Sequence, residues 1–338
     1  MSIQTLLILN PASGGGATGR AADALVARAE AACGPLDVVT TVAPGDAIAL
    51  ARRAAERGVA RVLVAGGDGT TGEVVTGLIA GARCATARPC LGLLPVGSGC
   101  DLARTLGLPR RLEEALEIVA GGNVRELDVG RVELGDGQGE RIVRCFANEV
   151  SAGLSGDTVR LAPELSARVG PRLGFLAGAL AAVASHVPFD ASIDIDGDRI
   201  HDGPVSLLAI ANGCYFGAGM QVAPDAAIDD GWLEVVLARG LSRRAIVTHL
   251  PAFYLGRHGR HPQVSFHAAR RVEVVPKSGS AAVEVDGDGG FALPLVAECL
   301  PGALRFFARE VTVPVTRSRS LPITPLVGRP IAVRRSGP

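Results

Sequence analysis

The sequence predicts an α/β protein, in which a parallel sheet with helices on its faces is followed by an antiparallel β-sandwich domain. Up to about residue 125, short apolar runs alternate with Ala/Arg/Glu-rich helical segments, a pattern typical of βαβ units. Beyond that point, strand patterns separated by turns follow one another closely, as in antiparallel β domains. The 338 residues are enough for two domains with separate cores.

The first half contains four apolar segments that we predict to be parallel strands: residues 5–10, 36–42, 61–65 and 90–95. Helical patterns fill the segments between them, as at residues 20–32 and 46–58. Ligands of parallel sheets bind in the crevice at the carboxyl ends of the strands. Glycine-rich turns follow the predicted strands of this half, so we expect a binding site at that edge of the sheet.

We assign residues 1–125 to the first domain and residues 126–308 to the β-sandwich, with a helical insertion at about 163–187. The chain around residues 300–310 is a candidate to complete the first sheet. Residues 311–338 hold five prolines, five arginines and no acidic residue. This tail is interpreted either as a solvated extension or as a weak electrostatic tether to anionic lipid.

Composition excludes several classes of protein. The 34 basic and 34 acidic residues cancel, so no overall field recruits nucleic acid. The seven cysteines are scattered and lack CxxC spacing, which favours a reducing, cytoplasmic location over a disulfide or zinc framework. No basic region precedes an apolar stretch at the N-terminus, and we expect no signal peptide. The most lipid-like segment, residues 173–187, is too short to span a bilayer and is expected to be a packed helix.

The turn after the first strand, NPASGGGATG at residues 10–19, resembles two phosphate-binding motifs and completes neither. The dinucleotide fingerprint needs an acidic residue at the end of the second strand, where Thr40 and Thr41 stand. The P-loop needs a lysine and a hydroxyl residue, where Arg20 and Ala21 stand. The remaining polar turn is as consistent with an ordinary tight turn as with an anion site.

The turns after the third and fourth strands give a stronger indication of phosphate binding. In the third-strand turn, GGDGT at residues 66–70, Thr70 and Glu73 have the spacing of a capping box, which predicts a helix directly after the glycines. In the fourth-strand turn, Ser98 stands three residues before Asp101 in the same way. Each turn alone has a purely structural alternative. Two such turns at one sheet edge predict a wide anion-binding shelf.

A carboxylate, Asp68, stands in the middle of the third-strand turn. It would repel a bare phosphate. It would be useful if the ligand carried Mg²⁺, because carboxylate oxygens hold this ion directly or through water. We therefore interpret the turn as a site for a metal–nucleotide rather than for a free anion.

The succession of motifs resembles the diacylglycerol kinase/sphingosine kinase superfamily of lipid kinases, which is related to NAD kinase. The first half carries NPxSGG, GGDGTxxEV and LPVGSGxDLAR; the second carries FANEVSAGL (146–154), the run at 211–237 with APxAxxDDGxL, and VEVDGDG (283–289). The resemblance spans about residues 3–308, and the bacterial single-chain branch is nearest in length. NAD kinase shares GGDGT and would not be expected to carry the second-half run.

The resemblance implies that ATP lies in the crevice between an N-terminal α/β nucleotide domain and the β-sandwich. The residues that it assigns to the nucleotide are Asn10, Pro11, Ala12, Ser13, Gly14, Thr41, Gly66, Gly67, Asp68, Gly69, Thr70, Thr71, Gly72 and Ser98. It also implies a Mg²⁺ site formed by the Asp230 side chain with the carbonyls of Ala227 and Trp232. The alternative is that residues 229–231 form a simple tight turn.

Phosphoryl transfer requires positioning, charge neutralisation and a base for the acceptor hydroxyl. The family's base is the Glu of a DGE motif, which implies Asp288 in the DGD of this chain, with Asp68 as a second catalytic residue. Aspartate is one methylene shorter, and a misplacement of about 1 Å can cost about 10²-fold in rate. Cys100 replaces the asparagine usual in the fourth-strand turn. These two departures leave open a slow enzyme or a different substrate.

The function that the resemblance implies is an ATP- and Mg²⁺-dependent transferase acting on a lipid hydroxyl, of diacylglycerol or a sphingoid base, in phospholipid biosynthesis. Such a kinase would be cytoplasmic and would contact the inner face of the membrane peripherally. One alternative is a kinase of a soluble polyol or of NAD, and another is a nucleotide-binding relative with little transfer activity. The oligomeric state is open, with a homodimer as one alternative.

Overall fold

The computed structural model describes residues 5–82, 88–97, 99–136 and 138–309. The predicted tail at 311–338 therefore lies outside the described residues. The prediction of an α/β first half followed by a β-rich second half is confirmed. Within the described ranges, no helix combines the length and the apolar character needed to cross a bilayer.

The first half alternates strands with helices. Its elements are β1 (Thr5–Leu9), α1 (Ala17–Arg20), α2 (Ala22–Cys33), β2 (Asp37–Thr40), α3 (Asp46–Glu56), β3 (Arg61–Gly66), α4 (Asp68–Gly81), β4 (Cys90–Pro95), α5 (Asp101–Thr105) and α6 (Leu112–Gly121). Strand β1 pairs in parallel with β2 and with β3, and β3 pairs in parallel with β4. The turns that follow β1, β3 and β4 consequently lie at one edge of the sheet.

The second half is built mainly from antiparallel strands. Its elements are β5 (Val124–Gly135), β6 (Arg141–Phe146), β7 (Glu149–Gly153), α7 (Leu154–Val169), α8 (Pro171–Ser185), β8 (Phe189–Ile195), β9 (Asp198–Ala211), β10 (Leu233–Arg239), α9 (Arg243–Tyr254), β11 (Val264–Ala269), β12 (Arg271–Pro276), β13 (Ala282–Val285) and β14 (Asp288–Phe307). The pairings among these strands are antiparallel.

Strand β14 joins the two halves. Its first residues form a hairpin with β13, and its middle pairs with β5 and β12. Near its end, Arg305 and Phe306 pair in parallel with Cys90 and Leu91 of β4. Hydrogen bonding therefore runs unbroken along the strand order β11-β10-β9-β7-β13-β14-β4-β3-β1-β2. The β13–β14 turn is thereby fixed relative to the first-half sheet.

The helical insertion differs from the prediction. It is a hairpin of α7 and α8 that begins at Leu154, directly after β7, rather than near residue 163. The early start depends on a close approach: a Cβ at Gly156 would lie 2.2 Å from the carbonyl oxygen of Ala282, so only glycine lets α7 pack on β13. The helices are separated by Gly170, whose φ of 87° ends α7.

The hydrophobic core is continuous between the halves. Val64, Val74 and Leu91 of the first half are buried in one cluster with Leu127 of β5 and Phe306 of β14. A second cluster fills the interior between the strands of the second half, and includes Val132, Phe146, Ile193, Leu208, Val235, Val272 and Leu295. The first cluster packs the middle of α4 against the strands that carry the neighbouring turns.

Helix α4 is held against α3 by glycine, and this contact generates a stability prediction. A Cβ at Gly77 would lie 2.3 Å from the carbonyl oxygen of Ile48. We expect Gly77→Ala to lower the free energy of unfolding by about 1–3 kcal/mol, because α3 and α4 must move apart. The control is Gly121→Ala in α6, where the nearest atom is 4.0 Å away and no loss is expected. Equal effects in urea denaturation would contradict the packing argument.

Candidate functional site

Three turns meet at the edge of the first-half sheet. A Cβ at Gly67 would lie 3.7 Å from Ser13 Oγ, and a Cβ at Gly97 would lie 2.6 Å from the Cα of Gly67. The side chain of Asn10 donates a hydrogen bond to Thr70 Oγ1 at 2.8 Å. The turns after β1, β3 and β4 therefore form one surface, and Gly97 leaves no room for a side chain.

The turn after β1 relies on glycine for its backbone. Gly14, Gly15 and Gly16 have φ values of 63°, 65° and 81°, a left-handed region that is costly for most other residues. Asn10 Oδ1 accepts the N–H of Ala12 at 3.0 Å and closes the start of the turn. Thr41, at the end of β2, donates its N–H to the Leu9 carbonyl at 2.9 Å, which places it beside the same turn.

The predicted capping box at Thr70 and Glu73 is wrong. Helix α4 begins at Asp68, within the GGDGT motif itself, and no side chain caps it. The Glu73 carboxylate accepts the N–H groups of Gly45 and Ala47 at 2.8 and 3.1 Å, and so caps α3. Thr70 Oγ1 is the acceptor for Asn10. Partners from other elements take both side chains, which local spacing does not reveal.

Asp68 has a structural partner. Its Oδ1 accepts the N–H of Leu102 at 3.2 Å, at the N-terminus of α5, where a carboxylate is stabilised by the helix end. A Cβ at Gly99 would lie 2.8 Å from Asp68 Oδ2. Burial raises the pKa of Asp68, and the amides of α5 act against that rise. The carboxylate in this turn thus fastens the third-strand turn to the fourth.

The fourth-strand turn is described except at Ser98, so the prediction for Ser98 lies outside the described residues. Asp101 does not cap its own helix as its spacing predicted. Its Oδ2 accepts the N–H of Ala218 at 2.8 Å, which connects the turn to the second half. Cys100 has a φ of 54°, a conformation that asparagine adopts more readily. Burial raises the pKa of the Cys100 thiol to about 11, so it is protonated and unreactive at neutral pH.

The β13–β14 turn meets the GGDGT turn from the second half. Asp286 and Gly287 have φ values of 49° and 82°, as a two-residue hairpin turn with Asp-Gly requires. A Cβ at Gly69 would lie 3.8 Å from the Cβ of Asp288. The structure thus brings the predicted base beside the predicted nucleotide turn, although 219 positions, the difference between their residue numbers, separate them in the sequence.

Asp286, which the sequence did not single out, holds this turn in place. Its carboxylate accepts three backbone N–H groups at 2.9–3.0 Å, those of Ala147, Asn148 and Glu149. A Cβ at Gly72 would lie 2.8 Å from Asp286 Oδ2. Burial raises the pKa of Asp286 to about 7 against the lowering effect of the three amides. Asp286 is therefore a structural anchor between β7, α4 and the turn.

Asp288 is partly exposed, whereas the nearby carboxyls of Glu284 and Asp286 are buried. Burial raises the pKa of Asp288, and the guanidinium of Arg144 on β6 limits the rise. The Glu73 carboxyl feels the Asp288 charge as well, since Asp288 contributes to raising the pKa of Glu73. Asp288 thus combines access to a ligand with increased basicity, which a general base requires.

A buried carboxyl pair under the turn was also missed. Glu149 of β7 and Glu284 of β13 are each 2% exposed. Ser151 Oγ donates to Glu284, and Glu284 Oε2 accepts the N–H of Gly287 at 2.8 Å. Burial raises the pKa of both carboxyls, and for Glu149 the neighbouring Glu284 charge raises it further. Two acidic residues within otherwise apolar strands were the available indication in the sequence.

A carboxylate of β5 contacts the predicted metal turn. Asp128 is 2% exposed, and its two oxygens accept the N–H groups of Gly231 and Gly302 at 2.6 and 2.7 Å. Asp230 Oδ1 accepts the N–H of Trp232 at 3.0 Å, as in a tight turn. Over the described ranges, no three or more His, Cys, Asp or Glu side chains are grouped to hold a metal. A site of one carboxylate with two carbonyls, including that of Ala227, stays a prediction, and its oxygen donors suit Mg²⁺.

Two family models cover most of the chain. The diacylglycerol kinase catalytic domain matches residues 4–132, and the YegS C-terminal NAD kinase beta sandwich-like domain matches residues 148–308. A diacylglycerol kinase from Mycobacterium tuberculosis is 30% identical over 303 residues, which cover 88% of this chain and 93% of that protein. This chain belongs to the diacylglycerol kinase/YegS lipid kinase family.

Two further relatives of this lipid kinase family member define the extent of the similarity. The protein named "Probable lipid kinase YegS-like" from Chromohalobacter salexigens is 40% identical over 206 residues, or 60% of this chain and 62% of that one. The alignment thus spans less than two thirds of that relative. The crystal structure of a diacylglycerol kinase from Bacillus anthracis has the same fold, with a TM-score of 0.65, 22% identity, and coverage of 92% and 98% of the two chains.

The buried carboxyls predict the pH dependence of stability. A carboxyl with a raised folded-state pKa keeps its proton when the unfolded chain has lost it, so the free energy of unfolding falls as pH rises from the unfolded to the folded pKa. The expected slope is about 1.4 kcal/mol per pH unit for each such group. Above pH 5 we expect Glu149→Gln to flatten this fall, because glutamine does not titrate.

Guanidinium denaturation at several pH values measures this slope. The control is Asp198→Asn, an exposed substitution that should leave the wild-type slope unchanged. Parallel curves for the wild type and Glu149→Gln would show that Glu149 is not protonated in the folded protein.

Proposed function

We propose that this protein is an ATP- and Mg²⁺-dependent lipid kinase that transfers the γ-phosphate to a lipid hydroxyl, of diacylglycerol or a sphingoid base. The observation that supports the proposal most directly is the position of Asp288 beside Gly69, in the first turn of α4. This position brings a carboxylate that can act as a base next to a glycine-rich turn that can bind phosphate. Hydroxyl phosphorylation needs both of these parts.

The glycine-rich turns would bind the nucleotide. Backbone N–H groups at bare glycines and the positive end of α4 attract phosphate oxygens. We propose that the contacts come from residues 10–14, Thr41 and residues 66–72, with Asn10 and Thr70 keeping the turns together through their hydrogen bond. When bound, Mg²⁺ neutralises charge on the phosphates. Asp68 is the carboxylate of this turn that would hold it.

Asp288 would act as the general base. It accepts the proton of the acceptor hydroxyl while the oxygen attacks the γ-phosphate, and its raised pKa makes it a stronger base than an exposed aspartate. The Arg144 guanidinium acts against the rise in the pKa of Asp288 and so favours the ionised carboxylate that a base requires. The lipid acceptor is supported by the relatives named as lipid and diacylglycerol kinases.

A second candidate, a nucleotide-binding protein with little transfer activity, is favoured by two residues. Asp288 replaces the glutamate of the family motif and ends one methylene earlier, and Cys100 replaces an asparagine at a left-handed position. A kinase with a soluble polyol or NAD as acceptor is the remaining alternative, and competition between short-chain lipid and NAD separates it from the lipid kinase.

The primary test is transfer of labelled γ-phosphate from Mg-ATP to diacylglycerol, sphingosine, ceramide and monoacylglycerol in mixed micelles. We expect one lipid to be labelled, and we expect Asp288→Asn to lower kcat about 10²–10⁴-fold through loss of the base while ATP binding persists. Asp198→Asn is the matched exposed control. An unchanged kcat in Asp288→Asn would exclude Asp288 as the base. Failure to label any of the four lipids would overturn the proposed lipid kinase function.

The length of the base is tested separately with Asp288→Glu. If reach limits transfer, the longer side chain should raise kcat by up to about 10²-fold, with little change in the affinity for ATP. An unchanged kcat in Asp288→Glu would show that aspartate already reaches the acceptor.

The wild-type rate should also rise with pH through the pKa of Asp288, which burial places above its ordinary value of 3.8.

A further inference from the structure

Helices α8 and α9 expose a set of large apolar side chains. On α8, Leu173, Leu176 and Leu180 are 62%, 51% and 56% exposed. On α9 the same spacing is repeated by exposed residues at positions 247, 250 and 254. We call this set the apolar face; its members are Leu173, Leu176, Leu180, Val187, Val247, Leu250, Tyr254 and Leu255.

The orientation of α8 is the reverse of that of an amphipathic helix in water. Its small residues face α7: a Cβ at Gly174 would lie 2.2 Å from the Cα of Ser166, and one at Gly178 would lie 2.9 Å from the Cα of Ala162. Its leucines point away from the protein. A helix in water buries its large apolar residues instead, whereas small residues between helices with large ones outside are typical of helices in lipid.

The end of α8 and the start of α9 are joined by a hydrogen bond. Arg243 Nε, at the start of α9, donates to the carbonyl of His186, just after α8, at 3.1 Å. His186 is itself fixed by a 2.9 Å hydrogen bond between its Nε2 and Ser206 Oγ. The apolar residues of α8 and α9 therefore lie on two helices that are joined at this point.

The two segments that carry the apolar face contain basic residues and no acidic ones. Residues 165–189 contain no Asp or Glu, and residues 235–272 contain none either, while the second segment has seven arginines. Arg244, Arg257 and Arg260 are exposed beside the apolar residues of α9. Arginines around apolar side chains complement a surface that is apolar inside and negatively charged outside, which is the description of an anionic bilayer.

The apolar face is connected to the candidate active site through α7. A Cβ at Gly289, next to Asp288, would lie 3.0 Å from Val159 Cγ1 of α7, and α8 packs on the other side of α7 through Gly174 and Gly178. One helix thus separates the face from the residue proposed as the base.

We infer that the apolar face docks on an anionic bilayer, with its leucines, valines and tyrosine in the interfacial region and its arginines at the lipid headgroups. The purpose of this docking, which is to bring the acceptor lipid to Asp288, rests on the proposed lipid kinase function. The docking itself follows from the exposed side chains and their charge, and can be measured without activity.

The test is sedimentation of the full-length protein with vesicles of phosphatidylcholine, with and without phosphatidylglycerol. We expect tighter binding to the anionic vesicles, and a loss of at least about tenfold in Leu176→Ser/Leu180→Ser because apolar contact with lipid is removed. Val247→Ser should weaken binding as well. Its matched control is Val275→Ser, an exposed valine on β12, for which no change is expected.

The charges are tested with Arg244→Glu/Arg257→Glu, which should lose about tenfold on anionic vesicles and be unaffected on phosphatidylcholine alone. Phosphorylation of a short-chain, micelle-free lipid should stay at wild-type rates in every docking variant. If no lipid is phosphorylated while vesicle binding follows this pattern, the proposed function fails and the docking surface stands.

Two results would overturn the docking surface. One is vesicle binding in Leu176→Ser/Leu180→Ser equal to that of the wild type. The other is a wild-type dimer, measured by light scattering, that becomes a monomer in the same variant, since a second copy of the chain would then cover the apolar face.

Discussion

The carboxylate of Asp286 is the contact on which the site depends. It accepts three consecutive backbone N–H groups at the start of β7 and lies against Gly72 of α4. A buried carboxylate is costly unless it is well hydrogen-bonded, and the three amides supply that compensation. The β13–β14 turn, and with it Asp288, has its position because Asp286 connects the two halves of the chain at this point.

Several buried acidic side chains surround that contact. Burial raises the pKa of Asp68, Asp101 and Glu284 as well as that of Asp286, and Asp68 contributes to the rise at Asp286. Each carboxyl has a structural partner that explains its place, and any of them that is ionised would disfavour a bare polyphosphate. This balance is the physical reason for proposing that the nucleotide arrives with Mg²⁺, and for expecting the site to be sensitive to the loss of that ion.

The sequence predicted the general location of the site more reliably than its internal contacts. Strand–turn–helix patterns located the turns at one sheet edge, and the family resemblance singled out the DGD turn, because both depend on residues that are close in sequence. The partners of Glu73, Asp101 and Asp286 were not predictable in this way. Each accepts a backbone N–H group of another element. Because a backbone N–H does not depend on the residue type, the sequence gives no sign of these partners.

The long strands β5 and β14 determine the spacing within the candidate site. They are 12 and 20 residues long, and β14 is paired with both halves of the molecule. The gap between the glycine-rich turns and Asp288 is consequently set by the register of the β ladders that β14 forms, so that the distance over which the proposed kinase would transfer a phosphoryl group depends on strand pairing established during folding.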